Sequence, residues 1–155
     1  MRIALVVSRY HAFVTDRLEA GARAALREAG LGAAEVETFA VPGAYELAQA
    51  AGRLAETGAW QAVVCLGCLI RGETPHFEYI ARAAADGIMR AAQATGVPIA
   101  FGVLTTNTAD EALARAGDGE GNKGREAAIA ACEMARTYAR IGPAAAPAAP
   151  REGRP

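Results

Sequence analysis

The sequence predicts an α/β protein in three layers, a four-stranded parallel sheet with helices on both faces. Three observations carry this. Four short strand-like runs recur along the chain, and the first, Ile3–Val7, is apolar without alternation, as a strand covered on both faces requires. An apolar pattern at helical spacing follows each run. Glycine or proline punctuates the units, which leaves short connections of the strand–helix–strand kind.

Ile3–Val7 is the first strand, and Ser8-Arg9-Tyr10-His11 is the loop at its carboxyl end. Val14, Leu18, Ala22, Ala25, Leu26 and Ala29 mark the first helix, which Gly30 caps. Val36–Val41 is the second strand; Pro42-Gly43 breaks it. Leu47, Ala51, Leu54 and Ala55 then trace a helix ending near Gly58. Ala62–Leu66 is the third strand, and its loop leads to a helix beginning near Phe77. Ile80, Ala84, Ile88 and Ala91 mark that helix, closed by Gly96 and Pro98. Ile99–Leu104 is the fourth strand. Thr108-Ala109-Asp110-Glu111 is a capping-box signature for a short helix ending at Gly117. A last helix runs from about Lys123 to Ile141, and Gly142-Pro143 stops it. One domain over residues 1–141 is expected, followed by an Ala- and Pro-rich disordered tail over 142–155.

The chain of 155 residues is long enough to bury a real core. A net charge of −1 gives no basic field for nucleic acid or an anionic membrane. No apolar stretch reaches the roughly 20 residues that span a bilayer. Ile3–Val7 is interrupted too soon by Ser8-Arg9 for a signal peptide, so a cytoplasmic location is expected. Cys65, Cys68 and Cys132 make an odd set that suits no disulfide framework. Cys65-Leu66-Gly67-Cys68 spells C-x-x-C, but inside a strand run and not at a helix start. These cysteines are expected as small buried hydrophobes. No cluster has metal-ligand spacing, so no metal is expected.

Ligands of open α/β sheets sit at the carboxyl ends of the strands. Those ends are Ser8–Tyr10, Pro42–Glu46, Gly67–His76 and Thr105–Thr108, and they bring an aromatic, a carboxylate and an imidazole to one edge. The densest is Gly72-Glu73-Thr74-Pro75-His76, although Pro75 setting helix entry and His76 capping it would explain that loop equally. His11 and His76 are the only histidines, and His76 is the better candidate to move protons near neutrality. Each other residue has a plain reading too. Tyr10 suits packing, Glu46 answers a helix dipole, Phe101 suits the core and Arg115 an exposed helix face. Gly119–Gly124 matches G-x-G-x-x-G, but a helix precedes it and not a strand. A Walker loop fails as well, because Lys123 comes before the last glycine. An anion site at that helix start and a solvated lysine both remain open.

Together the motifs resemble the 6,7-dimethyl-8-ribityllumazine synthase family. They are Arg9-Tyr10 before Phe13–Leu18, Val41-Pro42-Gly43-Ala44-Tyr45-Glu46-Leu47, and Gly67-Cys68-Leu69-Ile70-Arg71-Gly72-Glu73-Thr74-Pro75-His76-Phe77-Glu78-Tyr79. Phe101–Thr106 and Gly121-Asn122-Lys123-Gly124 complete the set, with spacing intact from Ile3 to about Arg140. The resemblance implies a flavodoxin-like strand order 2-1-3-4. It also implies condensation of 5-amino-6-(ribitylamino)uracil with 3,4-dihydroxy-2-butanone 4-phosphate, releasing phosphate and water without metal or organic cofactor.

Carried over by position, Tyr10 would stack on the pyrimidine, where the family usually has Phe or Trp. Ala44, Tyr45 and Glu46 would hold the pyrimidine and ribityl chain, and Cys68, Leu69 and Ile70 would meet it through backbone groups. Phe101 would approach from an adjacent subunit. Glu73 and Thr74 would lie by the butanone phosphate, Arg115 would bind its phosphate with Lys123 close by, and His76 would transfer protons. His11 stands where the family commonly has Asn. The implied assembly is a homo-oligomer, a pentamer that some members pack into a shell of sixty subunits. The short Gly117–Gly121 loop favours the shell and the early start of the first strand favours a free pentamer, which is the expectation. Two alternatives remain: a non-catalytic lumazine or flavin binder on the same fold, and a flavodoxin-like electron carrier. The second would want a phosphate-binding loop after the first strand, and Ser8–His11 lacks the glycine for one.

Overall fold

A computed structural model describes residues 1–143; the expected tail beyond Pro143 lies outside the described residues. The strands are β1 (Ile3–Ser8), β2 (Val36–Val41), β3 (Ala62–Ile70) and β4 (Ile99–Thr106). The helices are α1 (Ala12–Glu28), α2 (Leu47–Glu56), α3 (His76–Thr95), α4 (Ala109–Arg115) and α5 (Lys123–Ile141). The sheet runs β2-β1-β3-β4 with every pairing parallel, the order and layering expected.

Period-two alternation explains the layers. Ile3, Leu5 and Val7 of β1, with Val64 and Leu66 of β3, pack against α1, α4 and α5. Ala4 and Val6, with Val63 and Cys65, face α2 and α3 instead. All six residues of β1 are buried, because it lies inside the sheet and is covered on both faces. The same alternation separates the C-x-x-C thiols. Cys65 belongs to one layer of the core and Cys68 to the other, and all three cysteines are free. Burial pushes Cys65 up to about 12 and Cys68 up to about 11, so both stay thiols at neutral pH.

Three strands run past their expected ends, β1 by one residue, β4 by two and β3 by four. β3 was expected to end at Leu66, yet β3 and β4 stay in register from Gly67↔Val103 to Ile70↔Thr106. Gly67 serves close packing here, since a Cβ would lie 2.9 Å from Leu47 Cδ1. The loop after β3 therefore narrows to Arg71–Pro75. The capping box holds in shifted form. Glu111 N–H donates to Thr108 Oγ1 at 3.1 Å, while the Glu111 carboxylate accepts from Asn107 N–H at 2.8 Å.

The α1–α5 seam fixes the far side of the sheet, and it is tight. A Cβ on Gly124 would fall 2.0 Å from Leu18 O, and one on Gly21 would fall 2.3 Å from Asn122 Oδ1. At the other end of α1, His11 takes the left-handed conformation at φ 60° and ψ 46°. Among the described residues it is the only non-glycine with positive φ. Histidine, with asparagine and aspartate, is among the non-glycine residues enriched in that region.

Candidate active site

The first cleft, about 520 Å³, opens at the carboxyl ends of β1, β2 and β3. Tyr10, Ala44, Tyr45, Cys68, Leu69, Ile70, Thr74 and His76 all line it, along with His11 and Phe77. Backbone bonds continue the β1–β2 ladder past Ser8 and place its rim. Arg9 N–H donates to Val41 O at 2.8 Å and Tyr10 N–H to Pro42 O at 3.1 Å. Tyr10 is 67 % exposed, so its ring is open to a ligand and is not a packing residue. His11 meets Tyr10 edge-on at 4.6 Å, and burial lowers the His11 pKa, favouring neutral imidazole.

A single turn of 3₁₀ helix, Ala44–Glu46, carries the next group. Ala44 is buried and Tyr45 exposed, so the turn anchors on one residue and presents the next. Glu46, the last residue of this turn, is half-buried and does not line the cleft. Gly43 leaves room for it: a Cβ there would be 3.1 Å from Glu46 Oε2.

His76 is the first residue of α3, exposed, on the cleft wall. Arg71 holds the segment around it. Its N–H donates to Thr106 O at 2.8 Å and its Nε to Asn107 Oδ1 at 3.1 Å. Its guanidinium pairs with Glu78 and lies 4.6 Å above the Phe77 ring. That pairing holds the Glu78 carboxyl below its ordinary range. One side chain thus ties the end of β3, the loop after β4 and the first turn of α3. Glu73, exposed in the same loop, lines neither cleft.

A second cleft, about 420 Å³, lies along β4 between the end of α4 and the start of α5. Phe101, Thr105, Arg115, Lys123 and Glu126 line it. Phe101 is 45 % exposed, which corrects the plain reading of it as core. β4 is an edge strand, so a large residue there can face outward. Arg115 Nη1 donates to Glu111 O at 3.0 Å, and its remaining donors meet no acceptor among the described residues. Lys123 Nζ lies 2.9 Å from both oxygens of Glu126. Arg115 at the end of α4 and Lys123 at the start of α5, the latter paired with Glu126, set two cations in one cleft, an arrangement that suits an anion.

The clefts share no lining residue. Three strand ends meet in one place as expected, but the candidates on and after β4 lie apart from them. Sequence reasoning passed over two residues that shape these clefts. Asn122, directly before a helical run, had the signature of an N-cap. Arg71 had no local signal, because the bonds that join its loop to the end of β4 reach Thr106 and Asn107, distant in sequence.

Among the described residues no group of His, Cys, Asp and Glu could hold a metal. Nor is any helix there long and apolar enough to cross a membrane. A model of the 6,7-dimethyl-8-ribityllumazine synthase family matches residues 1–139. The chain is 47 % identical over 141 residues to the 6,7-dimethyl-8-ribityllumazine synthase of Deinococcus radiodurans, covering 91 % of each chain. It is 48 % identical over 134 residues to the protein of that name from Syntrophus aciditrophicus, covering 86 % of this chain and 87 % of the relative.

Proposed function

This chain belongs to the 6,7-dimethyl-8-ribityllumazine synthase family of riboflavin biosynthesis, and from that premise we propose its reaction and the part each cleft takes. The enzyme condenses 5-amino-6-(ribitylamino)uracil with 3,4-dihydroxy-2-butanone 4-phosphate to the lumazine, phosphate and water. The arylamine attacks the ketone, the carbinolamine loses water to an imine, and phosphate leaves by elimination to an enol that tautomerises to a new ketone; the ribitylamino nitrogen attacks that carbonyl, and a second water leaves as the ring closes. Every step needs a proton moved and none needs a strong base, so holding two substrates together supplies much of the acceleration.

The first cleft takes the pyrimidine, against Tyr10 and between Tyr45 and the Cys68–Ile70 backbone. Glu46 at its border accepts from ribityl hydroxyls. Arg115 and Lys123 of the second cleft take the phosphate, with Glu73 and Thr74 near the butanone. Residues 1–141 are the catalytic unit. The observation that carries this reading is the separation of the clefts. One chain holds both halves without joining them, so a complete site forms where the first cleft of one copy meets Phe101, Arg115 and Lys123 of the next. A heterologous contact of that kind closes into a ring, here the family's pentamer.

Incubating the purified protein with both substrates and following lumazine fluorescence tests the reaction. Absence of product would refute it and leave a flavin or lumazine binder. In the same assay His76→Ala should lower kcat while leaving both KM values nearly unchanged. The loss should lie at the lower end of the roughly 10²- to 10⁴-fold range for a positioned acid–base group, since this condensation needs only weak assistance. An unchanged kcat would remove His76 from proton transfer.

A further inference from the structure

We propose that Asn122 is a positioning residue for the phosphate half-site, setting the spacing of Arg115 and Lys123; this rests on the assignment of those two residues to phosphate. Asn122 is 3 % exposed and directly precedes Lys123, the first residue of α5. Its Nδ2 donates to Gly117 O at 3.0 Å, Ala116 O at 3.3 Å and Arg17 O at 3.1 Å. Its Oδ1 accepts from Arg125 N–H at 3.0 Å. Ala116 directly follows Arg115, the last residue of α4. A single planar amide therefore ties the residue after one cation to the residue before the other, and anchors both to α1.

Capping alone would not need this residue. An N-cap uses one acceptor, which Asp, Ser or Thr supplies as well. The amide adds two hydrogens, shared here among three carbonyls, two of them at the end of α4, where a helix leaves its carbonyls unpaired. Gly21 on α1 admits the group, since any Cβ there would overlap Oδ1. The Gly121-Asn122-Lys123-Gly124 run, which failed as a nucleotide loop, thereby gains a physical reason for its asparagine. It sets where the cations stand without touching the phosphate.

Asn122→Ser keeps a cap acceptor and removes the two amide N–H donors, and the nearly isosteric Asn122→Asp removes them as well. Either should raise KM for the butanone phosphate about tenfold or more and weaken inorganic phosphate binding in parallel. KM for the pyrimidine should not move. In an Arg115→Ala background the same substitution should add little, because the two act through one site. A purely structural role would lower thermal stability and active fraction while leaving KM for both substrates unchanged. That result in whichever variant folds overturns the proposal, and so does failure of both to fold. If wild type forms no lumazine, or Arg115→Ala leaves KM for the butanone phosphate unchanged, the functional assignment itself has failed. If both controls behave and the Asn122 variants match wild type, only the positioning role has failed.

Discussion

Gly124→Ala should destabilise the fold by about 3 kcal/mol or more, a large share of the marginal stability of a domain this size. The added methyl would sit 2.0 Å from Leu18 O, 2.6 Å from Leu18 C and 2.8 Å from Leu18 Cα. All three are backbone atoms of α1, so no rotamer change relieves the overlap. The helices must separate, and their alanine-rich faces lose contact. Gly52→Ala is the internal control. A Cβ there would meet Ala91 Cβ at an ordinary 3.5 Å. Within α2 that change should stabilise by about 0.5–1 kcal/mol, since glycine costs helix entropy. Denaturant titration of both variants reads the difference in sign. A Gly124→Ala midpoint equal to wild type would mean the helices do not approach as closely as described.

Arg115→Ala should chiefly raise KM for the butanone phosphate. Losing a charge-assisted, bidentate contact costs about 1.5–3 kcal/mol, roughly one to two decades in affinity. KM for the pyrimidine should hold, because Arg115 lies in the cleft that contains none of the pyrimidine candidates except Phe101. Arg115→Lys should recover only part of the loss, for an ammonium lacks the planar fork. Steady-state kinetics with each substrate varied in turn decide the matter. Equal weakening for both substrates would place the phosphate elsewhere.

The fold was legible because each unit speaks locally. Ile3–Val7 and Ile99–Leu104 are apolar runs and Val36–Val41 a mixed one, and each became a strand at or near those limits. Ala62–Leu66 was cut short because Gly67 reads alike whether it breaks a strand or admits Leu47 against it. The candidate site was legible in part. Tyr10, Ala44, Tyr45, Cys68–Ile70, Thr74 and His76 lie at or after the carboxyl ends of β1, β2 and β3, and the ends of these three adjacent strands converge. Phe101 was opaque to residue reasoning. Nothing in Ile99–Leu104 reveals that its strand is the sheet's edge, and edge position decides whether a phenylalanine is buried. Asn122 was legible only as an N-cap, because its bond to Arg17 O joins elements far apart in sequence, and Arg71 was opaque because its guanidinium reaches Asn107 in the loop after the next strand.

The central claim is that a working site needs two copies, one giving the first cleft and the other Arg115 with Lys123. Subunit mixing tests it most directly. His76→Ala and Arg115→Ala chains, unfolded together and reassembled at equal ratio, form interfaces in which about a quarter pair two intact halves. Assayed with the butanone phosphate well below saturation, the mixture should exceed the mean of the two separately reassembled variants and approach about a quarter of wild type. Activity equal to that mean would show that each chain works with its own residues alone, and the shared site would be wrong.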